Sequence, residues 1–110
     1  MITIDLDNNN ITIIKKDTAS LNIALDNYIL KSGDTVTMTI DKEVENEEPI
    51  KQIVVTNFTD QGEAVIKLTS EDTDLEIGTY KYDIQVNTAD GRVDTIIGPA
   101  KFKIVGGVTY

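Results

Sequence analysis

The sequence predicts an all-β protein folded as a sandwich of two sheets, and three observations support this prediction. Apolar residues recur at every second position through most of the 110-residue chain, which is the period of a half-buried strand. Short segments rich in Gly, Asn, Asp and Ser separate the alternating stretches, as turns do between strands. The apolar period of a helix is absent from the interior. A chain of this length forms one domain with a modest core.

About seven strands are predicted. In chain order they are Ile11–Lys16, Ser20–Asp26, Thr35–Asp41, Ile50–Thr56, the segment 64–68, Gly78–Asn87 and Val93–Val105. In Gly78–Asn87 the inward positions are 80, 82, 84 and 86, and all four hold apolar or aromatic residues. Seven strands separated by short turns are typical of an antiparallel, immunoglobulin-like β-sandwich.

The connections between these strands are predicted from their turn residues. Lys31–Asp34 and Thr59–Gly62 are predicted turns, and the acidic segment Asp41–Glu48 is predicted to be a solvated loop. Ser70–Leu75 is too short and polar for a strand, so we predict a single helical turn capped by Ser70, with Leu75 directed inward. Asp90-Gly91 is predicted to supply both positive-φ positions of a tight hairpin turn.

The last strand changes its apolar parity at Gly98-Pro99. Before this dipeptide Val93, Thr95 and Ile97 are predicted to share a face. After it the apolar positions are Ala100, Phe102 and Ile104. A β-bulge or a strand switch at Gly98-Pro99 would restore the inward direction, and a proline without an N–H belongs at an edge or a break.

Composition excludes several functions. The chain has no His, Cys or Trp, which removes histidine acid–base catalysis, thiolate nucleophiles and Cys/His metal sites. Its formal net charge of −9 repels nucleic-acid phosphates and anionic membranes. No apolar run approaches the ~18 residues of a membrane span, and the amino terminus lacks the features of a signal peptide. A hydrolase could still use two carboxylates, but the acids lie in polar clusters, for which a solvated loop or face is favoured. We therefore expect no enzyme, no cofactor, no metal site, no nucleic-acid partner and no membrane partner.

Three acidic segments could serve as sites. Asp5–Asn10 begins like a calcium loop, but Asn10 and Lys16 occupy the places of the required Gly and Glu, so a turn is favoured. Asp41–Glu48 has five acids in eight residues; a loop that protects an edge is favoured over a docking patch for a basic partner. Glu71–Asp74 could bind calcium between sheets, although a role at the amino end of the helical turn is favoured.

The aromatic residues divide into two groups. Tyr80 and Tyr82 lie on the apolar face of their strand, which predicts core packing with one hydroxyl bonded to the backbone in a tyrosine corner. Tyr28, Phe58 and Tyr110 are the candidates for an exposed sugar-binding platform. Such a platform requires aromatic side chains that converge on one surface, so lectin activity is not favoured.

The second half of the chain resembles a known family. The residues concerned are Gly62-Glu63-Ala64-Val65-Ile66-Lys67-Leu68-Thr69, Asp72-Thr73-Asp74-Leu75, Gly78-Thr79-Tyr80-Lys81-Tyr82-Asp83-Ile84-Gln85 and the closing strand from Gly91 to Phe102. These segments resemble the immunoglobulin-like structural modules of tailed bacteriophages and are particularly similar to the amino-terminal domain of the baseplate upper protein family. The first half is similar by strand pattern alone, and the disulfide and core tryptophan of antibody domains are absent.

The resemblance implies a non-catalytic structural or assembly protein of a bacteriophage or prophage virion, in the tail, the baseplate or a head-attached structure. It would be made in the host bacterial cytoplasm and contact other virion proteins, as a homo-oligomer within the assembly. We expect residues 1–110 to form one domain, with 1–10 and 106–110 as peripheral extensions that could add a strand to a neighbour. The alternatives are a bacterial surface adhesion or carbohydrate-binding module, and an inhibitor or regulator built on the same sandwich.

Overall fold

All regular structure in the described part of the chain is β-strand. The structure, a computed structural model, describes residues 2–5, 8–25, 28–42 and 50–107. Within these ranges there are eight strands: β1 Ile2–Asp5, β2 Asn10–Ile14, β3 Ala19–Ile23, β4 Thr35–Lys42, β5 Lys51–Val55, β6 Ala64–Leu68, β7 Gly78–Asn87 and β8 Val93–Val105. The all-β prediction is confirmed, and the predicted strands are found with ends that differ by a few residues.

The strands form two sheets of unequal size. The larger has six strands in the order β1-β2-β8-β7-β4-β5, and the smaller pairs β3 with β6. Among the described strands every pairing is antiparallel except that of β2 with β8, which is parallel, so the prediction of a wholly antiparallel sandwich was wrong. Strand β2, near the start of the chain, therefore lies beside β8, the last strand.

Both sheets contribute to one hydrophobic core. Alternate residues of β4, namely Val36, Met38 and Ile40, are fully buried, as the alternation in the sequence predicts. The small sheet contributes Leu21 and Ile23 of β3 and the following side chains of β6: Ala64, Ile66 and Leu68. Because the two sheets share this core, the architecture is consistent with the predicted β-sandwich.

The hairpin between β7 and β8 has a longer loop than predicted. Asn87 pairs with Val93, and the backbone N–H of Thr88 donates to the carbonyl of Arg92 at 2.9 Å. Gly91 has a positive φ of 97°, whereas Asp90 is not among the described residues with positive φ. The prediction that both residues supply positive φ was therefore wrong, because a loop of this length needs only the glycine.

Strand β8 contains two irregularities. Tyr82 pairs with Ala100 and Ile84 with Ile97, which leaves one extra residue at Gly98-Pro99, as predicted. A second extra residue is Ile96, because Gln85 already pairs with Thr95. The prediction that Val93, Thr95 and Ile97 share a face was therefore wrong: Ile97 pairs with the inward Ile84, whereas Thr95 pairs with Gln85.

The predicted amino-terminal extension includes an edge strand. β1 pairs with β2 through a turn that contains Asn8 and Asn9. Asn9 has a φ of 61°, a left-handed conformation that asparagine tolerates. At the other terminus Gly106 and Gly107 follow β8 without regular structure, and residues 108–110 lie outside the described part of the chain.

Candidate functional site

The described residues contain no group of three or more Asp and Glu side chains that could hold a metal ion. No helix in the described ranges is long and apolar enough to cross a membrane. The polar clusters and surface depressions of the fold are therefore the remaining candidate sites.

Among the residues whose burial the structure describes, Asp34 is the most buried acid, with 1% of its surface exposed. Its carboxylate accepts hydrogen bonds from the Tyr28 hydroxyl at 2.8 Å and from the backbone N–H groups of Lys31 at 3.0 Å and Ala89 at 2.9 Å. Desolvation alone would raise the pKa of Asp34, but the hydrogen bonds from Ala89, Lys31 and Tyr28 outweigh it and lower the pKa. The group therefore remains ionised, and it connects the loop before β4 to the β7–β8 loop.

Asp34 was not predicted as a special residue. The sequence placed it in an ordinary turn, where most acids are exposed. Its burial depends on Ala89, which is distant in sequence, so no local pattern could have indicated it. Because its oxygens already accept three hydrogen bonds, the carboxylate has a structural role rather than that of a free acid or base.

The predicted aromatic platform is not brought together. Tyr28 lines a wide, open depression of about 620 Å³ beside Ile29, while Phe58 lines a different depression next to Thr59. Phe58 also packs against the core. Tyr110 lies outside the described residues. The two described candidates thus do not converge on one surface.

A second polar cluster connects the turn after β2 to the turn after β6. The Thr73 hydroxyl is fully buried and donates to the Asp17 carbonyl at 2.7 Å. The Ser70 hydroxyl donates to the Lys16 carbonyl at 2.8 Å. Lys16 has a φ of 70°, a conformation that non-glycine residues rarely adopt and that these contacts hold in place.

The segment 70–75 forms a hydrogen-bonded turn, but Ser70 does not cap it. Thr69 and Asp72 bond reciprocally: the Thr69 N–H donates to the Asp72 carboxylate at 2.9 Å, and the Asp72 N–H donates to the Thr69 hydroxyl at 3.2 Å. Prediction of Ser70 as the cap was wrong because its hydroxyl is bonded to Lys16. Leu75 packs against the core, as predicted.

Two of the three acids of Glu71–Asp74 form ion pairs with lysines. Asp72 lies 3.5 Å from the Lys51 ammonium, and Asp74 lies 3.4 Å from that of Lys15. These ion pairs are partly exposed and contribute little stability, about 0 to 1 kcal/mol each. The ion pairs engage two of the carboxylates with lysines, and the described residues contain no group of acids that could hold a metal ion, which supports the structural interpretation of this segment over a calcium site.

The other acidic segments are described only in part. Within Asp5–Asn10, the Asn8 side-chain oxygen accepts from the Asn10 N–H at 3.0 Å, which confirms the predicted turn. The Tyr82 hydroxyl donates to the carbonyl of Asn9 at 2.5 Å and so connects this turn to the core. In Asp41–Glu48 only Asp41 and Lys42 are described, at the end of β4, and residues 43–48 lie outside the described ranges.

An apolar groove lies beside β3, between the two sheets; we call it the β3 groove. Its volume is about 260 Å³, and it is lined by Asn9, Ile11, Ser20, Leu21, Asn22, Ile23, Tyr82, Ile84 and Ile97. β3 pairs on one side with β6, and no other described strand pairs with it. The groove is therefore bordered by a strand with an unpaired hydrogen-bonding edge.

Among the described strands, β3 is the edge strand without a charged residue. Its sequence is Ala19-Ser20-Leu21-Asn22-Ile23. The other edges contain Asp5 in β1, Lys51 in β5 and Lys67 in β6. The first part of β8, which extends beyond its pairing with β2, contains Asp94 and Pro99. Charges, proline and bulges protect edges from pairing, and β3 has none of these features.

No family model and no curated protein matches the chain.

Proposed function

We propose that this chain is a non-catalytic assembly module with immunoglobulin-like topology, and that it belongs to a bacteriophage or prophage virion. The strand order supports the topology. Across the large sheet, the neighbouring strands β8, β7, β4 and β5 correspond to G, F, C and C′ of a variable-type immunoglobulin sheet. The pair β3-β6 corresponds to B and E of the opposite sheet.

A tyrosine corner also supports this topology. Tyr80 stands at the start of β7, and its hydroxyl donates to the backbone carbonyl of Glu76, four residues upstream, at 2.7 Å. Immunoglobulin-like domains place a tyrosine with this bond at the corner before strand F. The same bond was the expected role of one of the two tyrosines in Gly78–Asn87.

The observation that favours assembly is the unprotected edge of β3 beside an apolar groove. Soluble proteins protect such edges, and assembly proteins use them to pair with a strand from another subunit. The virion setting is supported by the resemblance of segments 62–69 and 78–85 to phage modules. Virion proteins act through contacts in symmetric assemblies, which is compatible with an uncharged strand edge.

The test is the location of the chain in particles. Virions released by the bacterium that encodes the chain would be purified on a density gradient and analysed by quantitative mass spectrometry. We expect the chain to sediment with the particles at a fixed ratio to a major tail protein, while an abundant host protein does not. Particles that lack the chain, with all of it in the soluble fraction, would refute the proposal.

The alternative, a bacterial surface adhesion or carbohydrate-binding module, has weaker support. The open depression beside Tyr28 has one described aromatic residue in its lining, and the hydroxyl of that residue is bonded to Asp34. Sugar sites usually combine aromatic faces with free polar groups. Labelling of the chain on intact bacterial cells would favour this alternative over the virion.

A further inference from the structure

The unpaired edge of β3 is suited to a second copy of itself. An antiparallel pair of identical strands is related by a two-fold axis, so one strand supplies both sides of the contact. Because side chains alternate between the two faces of a sheet, each inward residue must lie opposite an inward residue of the copy, and each outward residue opposite an outward one. The pairing that uses all five residues places Leu21 opposite its copy, and Ser20 opposite Asn22.

Local charge permits this contact although the whole chain is acidic. The formal net charge is −9, yet none of the five residues of β3 is charged. Across the small sheet, Ser20 pairs with Lys67 of β6, which adds a positive rather than a negative neighbour. Repulsion between distant charges is screened beyond about 8 Å at 0.15 M salt. The electrostatic opposition to self-association therefore comes from long-range repulsion between the two acidic chains, which salt screens, and not from charges in β3 itself.

The β3 groove gives the added strand an apolar surface to cover. Leu21 and Ile23 are each 8% exposed, whereas the neighbouring core residue Ile84 is 1% exposed. The groove is lined by these side chains and by Ile97 of β8, and no residue of β6, the partner of β3, is part of its lining. Inward side chains of an added strand would lie over it. Burial of this apolar surface stabilises the contact in addition to the backbone hydrogen bonds.

We propose that two copies of the chain associate through antiparallel pairing of their β3 strands, which forms a continuous four-stranded sheet in the order β6-β3-β3-β6. This inference rests on the proposed assembly role and identifies a contact surface for it. A contact along five residues buries less surface than the roughly 1,200 Å² of a stable interface, so the isolated dimer is of low affinity. It forms at high protein concentration, or where an assembly holds two copies together.

The first experiment measures association of the intact chain by sedimentation velocity over a range of concentrations and salt. We expect a reversible dimer that tightens as salt rises. Asn22→Lys, at an exposed position of β3, should weaken it about two- to fivefold at low salt, because each dimer then holds two added positive charges about 7 to 8 Å apart as diagonal neighbours across the two-fold axis. The matched control is Gln52→Lys, the same change at an exposed position of edge strand β5, which should leave the dimer unchanged.

The second experiment tests the register with cysteines, since the natural chain has none. Facing residues of antiparallel strands have Cα atoms about 4.5 to 5.5 Å apart, which suits a disulfide. A mixture of Ser20→Cys and Asn22→Cys chains should therefore form mixed disulfide dimers faster than either variant alone. Gln52→Cys chains serve as the control for random collision, and circular dichroism verifies that each variant is folded.

Three results would overturn the inference. They are a chain that stays monomeric at millimolar concentration, a dimer that Asn22→Lys does not weaken, and cysteine cross-linking no faster at β3 than at Gln52. A partner protein that binds at β3 while the chain alone stays monomeric would also overturn the second copy as occupant. If such a monomer is nevertheless found in virions, the β3 dimer fails and the assembly role stands.

Discussion

The hydroxyl of Tyr82 connects two parts of the chain that are far apart in sequence. Tyr82 is 3% exposed, and its hydroxyl donates to the carbonyl of Asn9, 73 residues away. Its ring meets Phe102 edge to face with the centroids 6.1 Å apart. Tyr82→Phe keeps this ring packing and removes only the hydroxyl, so it isolates the bond that connects the β1–β2 turn to β7.

The expected cost follows from the loss of one hydrogen bond and the partly buried carbonyl that remains. Such a loss reduces the free energy of unfolding by about 1 kcal/mol, and by about 2 kcal/mol if the Asn9 carbonyl finds no water. The entropy of unfolding is about 2.1 cal/mol/K per residue, or roughly 0.23 kcal/mol/K for this chain. The Tm should therefore fall by about 4 to 9 °C.

Thermal denaturation measures the fall in Tm, and native-state hydrogen exchange shows which strands lose protection. In Tyr82→Phe the amides of β1 and the start of β2 should exchange faster than in the natural chain. The matched control is Tyr80→Phe, which removes the same atom from the bond to Glu76, a local contact. Its stability loss should be similar, while exchange in β2 should change only by the global amount.

Two results would refute this reasoning. One is a Tm of Tyr82→Phe within about 1 °C of the natural value. The other is identical exchange in β2 for Tyr82→Phe and Tyr80→Phe after correction for global stability. Either result would mean that the β1–β2 turn is held by its own hairpin bonds and not by β7.

Three further predictions concern acid, backbone and alkaline effects. The pKa of Asp34 is lowered in the folded protein, so its carboxylate stabilises the fold at neutral pH and loses this effect as pH falls below about 4. Urea denaturation should therefore give Asp34→Asn a lower free energy of unfolding than the natural chain at pH 7, and the difference should be smaller in acid. By calorimetry, Gly62→Ala should lower the stability more than Gly91→Ala, because both positions have positive φ but only at Gly62 would an added Cβ collide with the Ile29 side chain. Burial raises the pKa of Tyr82 to about 12, so ultraviolet titration should show one phenol that ionises at a higher pH than an exposed tyrosine. The free energy of unfolding should fall as pH rises from about 10 to 12.

Alternation along single strands was predictable because it depends only on local geometry. Val36, Met38 and Ile40 of β4, and Tyr82 and Ile84 of β7, are buried where the period of two placed them. A strand directs successive side chains to opposite faces, so a sheet with one solvent-exposed face requires apolar and polar residues to alternate in its strands. The prediction needed no knowledge of the partner strands.

Register was predictable only where the apolar parity changed visibly. The bulge at Gly98-Pro99 was predicted because Ala100, Phe102 and Ile104 are out of phase with the residues before it. The second bulge was missed because Ile96 and Ile97 are both apolar and either could face inward. Their pairing is decided by Gln85 and Ile84 on β7, which is tertiary information that the sequence of β8 does not contain.

The open edge of β3 follows from where the first strands of the chain pair. Because β2 joins the large sheet in parallel with β8, it does not pair with β3, and β1 lies on the far side of β2. In the described part of the chain β3 is thus left with β6 as its one partner. A strand in this position would normally need a charge to stay unpaired in solution, yet Ala19–Ile23 has none. The proposed assembly role rests on the absence of protection at the strand that topology leaves open, and neither the sequence nor the topology indicates this property without the other.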